Sequence, residues 1–267
     1  MTALDRSFDR LACIEPSFHV TRPWFGGLEV DGHAVECALD SDDWVRLWAR
    51  IDGSEPDLIH RQSRVPLPVK IVSGPALIAE MPLTDSLAST FVVLRSAMHR
   101  GLSQLAARAS EAIDDEPADT DVTERLESLV NGSAFTWERA ADRIVTRDRS
   151  ATIVGRACGT SVVFATNVVH LGSWGSRSLE ALTHFALAAN ARLRLVRTTI
   201  TDGRLVHEVA LPAAVLTAPL VDHAVASISA GLHLSKRACA ALANTNIAEQ
   251  YLEFHTDGKD NHADTHA

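Results

Sequence analysis

The 267 residues include only four cysteines, Cys13, Cys37, Cys158 and Cys239, and no two of them form a CxxC pair. That scatter gives no disulfide framework and no thiolate metal site, and it predicts small buried apolar side chains instead. Long apolar runs are also missing. The apolar stretch Val209 to Val221 has 13 residues and is broken by Pro212 and Pro219, whereas a membrane span needs about 20. At the start, Asp5, Arg6, Asp9 and Arg10 stand where a signal peptide would need apolar residues. The expectation is a cytoplasmic chain with no membrane partner. Basic residues are the scarcer charge, 25 against 34 acids for a net of -9. That balance opposes nucleic acid, which demands clustered Lys and Arg.

Motifs that carry a mechanism are missing as well. There is no GxGxxG and no GxxxxGK[ST], so no phosphate cradle is visible. The run Gly172-Ser173-Trp174-Gly175-Ser176 misses GxSxG by one place. His207-Glu208 starts like HExxH, but Leu211 stands where the second zinc ligand belongs, and His207 lies in a strand pattern where it reads as a cross-strand surface residue. In the tail, His255, His262 and His266 lie near Asp257, Asp260 and Asp264, which supports weak metal affinity at most. No catalytic residue, cofactor or metal site is expected.

What the sequence does hold is an internal repeat. Val72 to Leu83 reads VSGPALIAEMPL and Ile200 to Leu211 reads ITDGRLVHEVAL, aligning Leu77 with Leu205, Glu80 with Glu208 and Leu83 with Leu211 at an offset of 128. A long amphipathic helix follows each copy, with Leu87, Phe91, Leu94 and Met98 answered by Val221, Val225, Ile228 and Leu232. Residues 111 to 121, EAIDDEPADTD, are acidic and proline-bearing, a linker composition.

Elements on either side follow the same order. Leu4, Phe8 and Leu11 predict a first helix, as do Val122, Leu126 and Leu129. Short β-favouring runs come next, from Phe18 to Leu39 with a turn at Asp31-Gly32, and around 143–147, 151–157 and 161–171. A middle helix is expected at Ser176 to Asn190. In the first half the same place falls to WVRLWARI, where Trp44, Leu47, Trp48 and Ile51 fit a helix, although Val45, Leu47, Ala49 and Ile51 alternate as a strand would. Ile247 to Phe254 reads as a short helix and the rest as a disordered tail. The fold class is α+β: two tandem αβββαββα domains, each an antiparallel sheet with helices packed on one face. The expected boundaries are 1–113, an acidic linker 114–121, a second domain 122–254 and the tail 255–267.

This order, with the hairpin-then-long-helix ending of Leu205 to Leu242, resembles the class I type III secretion chaperones and bacterial regulators of the same fold. The resemblance covers 121 to 243 well and 1 to 113 less well. It rests on element order, with no residue motif to quote. It implies a non-enzymatic module that captures a segment of another polypeptide, here as a monomeric pseudo-dimer or a homodimer. Glu80, Glu208 and Trp174 are the candidate binding residues: the glutamates because they recur at equivalent strand positions, where solvent exposure is the plain expectation, and Trp174 because it sits between two glycines before a helix. Arg192, Arg194 and Arg197 are expected to form a basic strand face, either solvated or a rim for an acidic partner, and not a nucleic-acid site. The competing reading is an enzyme or small-ligand sensor with a pocket between the halves, using His184, His207, Glu208 or His223.

Overall fold

The computed structural model describes residues 8–53, 58, 61–62, 65, 68–84, 86–106, 120–141 and 143–260. The first half opens with a 3-10 turn at Phe8–Arg10 and a short helix α1 (Leu11–Ile14). Strands β1 (His19–Arg22), β2 (Phe25–Val30), β3 (His33–Leu39) and β4 (Trp44–Arg50) follow, then the hairpin β5 (Val69–Val72) and β6 (Ala76–Pro82), and helix α2 (Leu87–Ala106). The second half runs α3 (Thr120–Val130), β7 (Trp137–Ala140), β8 (Arg143–Asp148), β9 (Ala151–Cys158), β10 (Ser161–His170), α4 (Ser176–Arg192), β11 (Arg197–Thr201), β12 (Arg204–Pro212), α5 (Ala218–Leu242) and α6 (Thr245–Asp260). The result is α+β, with two antiparallel six-stranded sheets ordered β1-β2-β3-β4-β6-β5 and β11-β12-β10-β9-β8-β7. Strand for strand, the two orders are the same.

Two local readings change. Trp44–Arg50 is a strand, so each half has four strands before its middle helix instead of three. The helical spacing of Trp44, Leu47, Trp48 and Ile51 misleads because β4 is a central strand whose two faces are both largely covered, blurring the alternation. In its place Leu58, Arg61 and Gln62 are helical. The extra strand in the second half is Trp137–Ala140. Near the C-terminus, α6 continues to Asp260 and is longer than the expected Ile247–Phe254. The acidic linker and residues 261–267 lie largely or wholly outside the described residues.

The turn chemistry explains the hairpins. Asp31-Gly32 and Asp202-Gly203 both have positive φ at the two positions, 51° and 77°, then 49° and 66°. This is the geometry of a tight hairpin turn whose twist matches its strands. One face of the first sheet carries Val35, Cys37, Val45, Leu47, Leu77, Ala79 and Met81, all buried, and α2 lies across it with Phe91, Leu94 and Met98. In the second sheet Leu205, Val209, Leu211 and Phe164 face α5, whose start is capped by the Thr217 hydroxyl accepting from the Leu220 N–H at 3.4 Å. Cys37 and Cys239 are buried as expected, and burial pushes their thiols up to about 12 and about 11. Cys13 departs from that expectation and is exposed.

Candidate functional site

Because residues alternate along a strand, Glu80 and Glu208 project from the sheet faces opposite the long helices. In an isolated domain that face would be wet. Here the other half covers it, and the exposure expected from the sequence is not found: Glu80 is 2% exposed and Glu208 7%.

Glu80 Oε1 accepts from Lys70 Nζ at 2.6 Å and from the Leu195 backbone N–H at 3.1 Å, and its Oε2 lies 2.7 Å from Arg46 Nη2. Burial alone would raise this carboxyl, but the Lys70 and Arg46 charges with their hydrogen bonds outweigh it and hold its pKa below the usual carboxylate value. Lys70, itself 2% exposed, donates onward to the carbonyl oxygens of Leu193 and Val196 in the second half. Burial draws its ammonium below the ordinary lysine value while Glu80 pulls it back.

The second half returns the arrangement. Arg197 Nε donates to Glu208 Oε1 at 2.6 Å, and Arg197 Nη1 donates to the carbonyl oxygens of Val65 and Gln62 in the first half. Val65 and Leu193 stand 128 positions apart, as do Glu80 and Glu208. Each half therefore sends a cation, held by its own glutamate, to the same carbonyl position of the other half. A third pair with this offset, Gln62 and Asn190, meets between them: Asn190 Nδ2 donates to Gln62 Oε1 at 3.2 Å. Asn190 also donates to the Ile71 carbonyl at 2.9 Å and accepts from the Thr198 N–H at 2.5 Å, which ties both sheet edges together. Reciprocal contacts of this kind are what an isologous, two-fold interface is made of.

The expected basic face of Arg192, Arg194 and Arg197 is corrected here. Arg197 is 1% exposed, and Arg194 stacks its guanidinium 5.3 Å from the Trp44 ring centre while pairing with Asp40 at 2.8 Å and Asp42 at 3.3 Å. His223 packs on the same Trp44 ring at 5.4 Å between centres. Leu195 holds a left-handed backbone, φ 65°, costly for a branched residue, and its N–H meets Glu80.

His207 is also not the surface residue its strand position suggests. It is fully buried, with Nδ1 3.0 Å from the Thr198 hydroxyl and Nε2 2.9 Å from the Ser235 hydroxyl on α5. Burial lowers its pKa to about 4. Trp174 is half-buried in the loop before α4 and packs against the core. His184 stacks on His255 at 6.4 Å, while His207 and Glu208 are neighbours on β12 whose side chains meet Ser235 and Arg197 respectively. Among the described residues no group of three His, Cys, Asp or Glu side chains is placed to hold a metal, and no helix is long and apolar enough to cross a membrane.

The open part of this architecture lies on the second sheet. A hollow of about 700 Å3 is lined by Arg143, Thr152, Arg156, Val163, Ala165 and Asn167, among others. Sequence reasoning missed it. The available signal was the alternation of Thr152, Val154 and Arg156 against the buried Ala151, Ile153 and Gly155, which marks a sheet face not covered by its own helices.

The class that fold and site define is an α+β protein of two tandem domains built on two six-stranded antiparallel sheets. No family model matches the chain, and no curated protein matches it. Among solved structures, a crystal structure of the ExsC–ExsE complex is similar at 11% identity, over 43% of this chain and 93% of that chain, with a TM-score of 0.31.

Proposed function

We propose that this chain is a non-enzymatic polypeptide-binding module, chaperone- or adaptor-like, in which two domains pair within one molecule as a pseudo-dimer. The observation that carries this reading is the hollow on the second sheet, an open trough on a strand surface between β8 and β10. Extended segments dock on such surfaces through side-chain pockets and unpaired strand edges. The outer strand β1, exposed at all four residues, offers a second edge of this kind. The buried ionisable groups support binding over catalysis, because Glu80, Lys70, Arg197, Glu208 and His207 are each spent on internal bonds. Trp174 is kept as a contact at the rim of the second domain, and the protein is read as cytoplasmic.

Native purification followed by mass spectrometry of whatever stays bound tests the proposal. A stoichiometric polypeptide is the expected result. A bound metabolite with no polypeptide would overturn it.

A further inference from the structure

On the faces turned away from the long helices, matching rows of the two sheets carry side chains of very different size. Trp44, Arg46 and Trp48 alternate along β4 and pair with Pro82, Glu80 and Ile78. The residues 128 positions further on, Ala210, Glu208 and Val206, pair with Val163, Ala165 and Asn167 of β10. Three bulky side chains are answered by three small ones, and all three small ones line the hollow. Further along the row, Phe25 stands edge-on to Trp48 with 5.7 Å between ring centres. Its counterpart is Val145, because Phe25 pairs through Ala38 to Arg46 as Val145 pairs through Val154 to Ala165. The first face is thus built on three aromatic rings, and the matching positions of the second hold none. The β9–β10 ladder also stops at Val154 and Ala165, although both strands continue, and the hollow reaches down there to Leu232 on α5.

The molecule shows what sits well in such a place. Arg194 lies 5.3 Å from the Trp44 ring centre while its guanidinium holds Asp40 and Asp42. A guanidinium pairs with carboxylates in its own plane, so its faces stay open to a ring whose electron-rich surface complements the cation. Arg143 and Arg156, which line the hollow, are likewise engaged within the chain, and stacking leaves that engagement in place. Val154 and Val163 give an apolar floor, and the Asn167 amide oxygen is an acceptor for an indole N–H. We propose that the hollow takes a tryptophan side chain carried on an extended segment of a partner polypeptide, its ring over Val163 and Ala165 where the first sheet carries Trp44, Arg46 and Trp48. The assignment deepens the polypeptide-binding reading and rests on it.

The first half supplies the test, since it shows which residues fill the face. Asn167→Trp installs the residue found at the matching place on β4, and Ala165→Leu occupies the hollow from its centre. The probes are two fluorescein-labelled peptides of alternating Ser and Val that differ only at the middle position, one bearing Trp and the other Ala, read by fluorescence anisotropy on the full chain. The Trp peptide is expected to bind the native protein and to move the Ala165 and Val163 methyl resonances upfield by the ring current. The Ala peptide should bind at least about tenfold more weakly, the loss that goes with one large apolar side chain left unburied. Each variant should weaken the Trp peptide by a similar factor with an unchanged thermal melt. Equal binding of both peptides, undiminished binding by the two variants, or no binding of the Trp peptide would each overturn the assignment. N-acetyltryptophanamide binding as tightly as the Trp peptide would overturn the polypeptide source in favour of a free aromatic metabolite. A polypeptide retained through native purification by protein that ignores both peptides would leave capture standing and sink this site alone.

Discussion

A carboxylate taken out of water has to find cations or donors within reach, and removing one partner strands the rest. Glu80 meets that condition with Lys70, Arg46 and the Leu195 N–H, and Lys70 is as deeply buried as the carboxylate it serves. Glu80→Gln keeps the shape but leaves the Lys70 ammonium without its counter-charge. The expected cost is about 3 kcal/mol of stability, read from a urea melt as a lower midpoint. An unchanged midpoint would show that the pair contributes nothing. The pH direction follows from the depressed carboxyl: the stabilisation is present above the carboxylate's unfolded pKa and is lost as pH falls through its lower folded value. A single sequence shows that these glutamates recur and that they face away from the helices. It cannot show that a second domain covers that face, so solvent was the natural expectation.

At the scale of elements, the repeat made the hairpins, the long helices and their order legible. Hairpin turns and helix faces are encoded within a few residues, as Asp202-Gly203 and the Val221, Val225, Ile228 stripe demonstrate. Trp44–Arg50 was harder because a strand buried on both sides loses its period. His207 shows the same limit from the other direction: it joins β11, β12 and α5 through Thr198 and Ser235, and Gly231 on α5 allows the close approach, with a Cβ there falling 3.2 Å from Leu193 and 3.6 Å from the imidazole. With a folded pKa of about 4 against 6.5 unfolded, the unfolded chain takes up the proton first as pH falls. Stability should therefore drop between pH 6.5 and about 4, by up to ~3 kcal/mol at 1.4 kcal/mol per unit. His207→Gln should be less stable at neutral pH and flatter across that window. A variant with the same acid slope as the native protein would remove His207 as the cause.

For the whole molecule, the reciprocal contacts of Lys70 with Leu193 and of Arg197 with Val65, joined through Gln62 and Asn190, satisfy within one chain the surfaces that two separate domains would offer each other. Sedimentation should accordingly give the mass of one chain across the concentration range, and a concentration-dependent dimer would contradict a self-satisfied pair. Asn190→Ala should loosen both sheet edges together, because the amide it removes serves Ile71 and Thr198 at once.

Arg46 and Ala165 occupy matching places beside matching glutamates, yet they are different residues. In an assembly of two identical chains every substitution is written twice, and a trough opened on one side opens on the other. Covalent duplication lifts that constraint. One copy is free to keep an arginine beside its glutamate while the other carries a methyl group in the matching place.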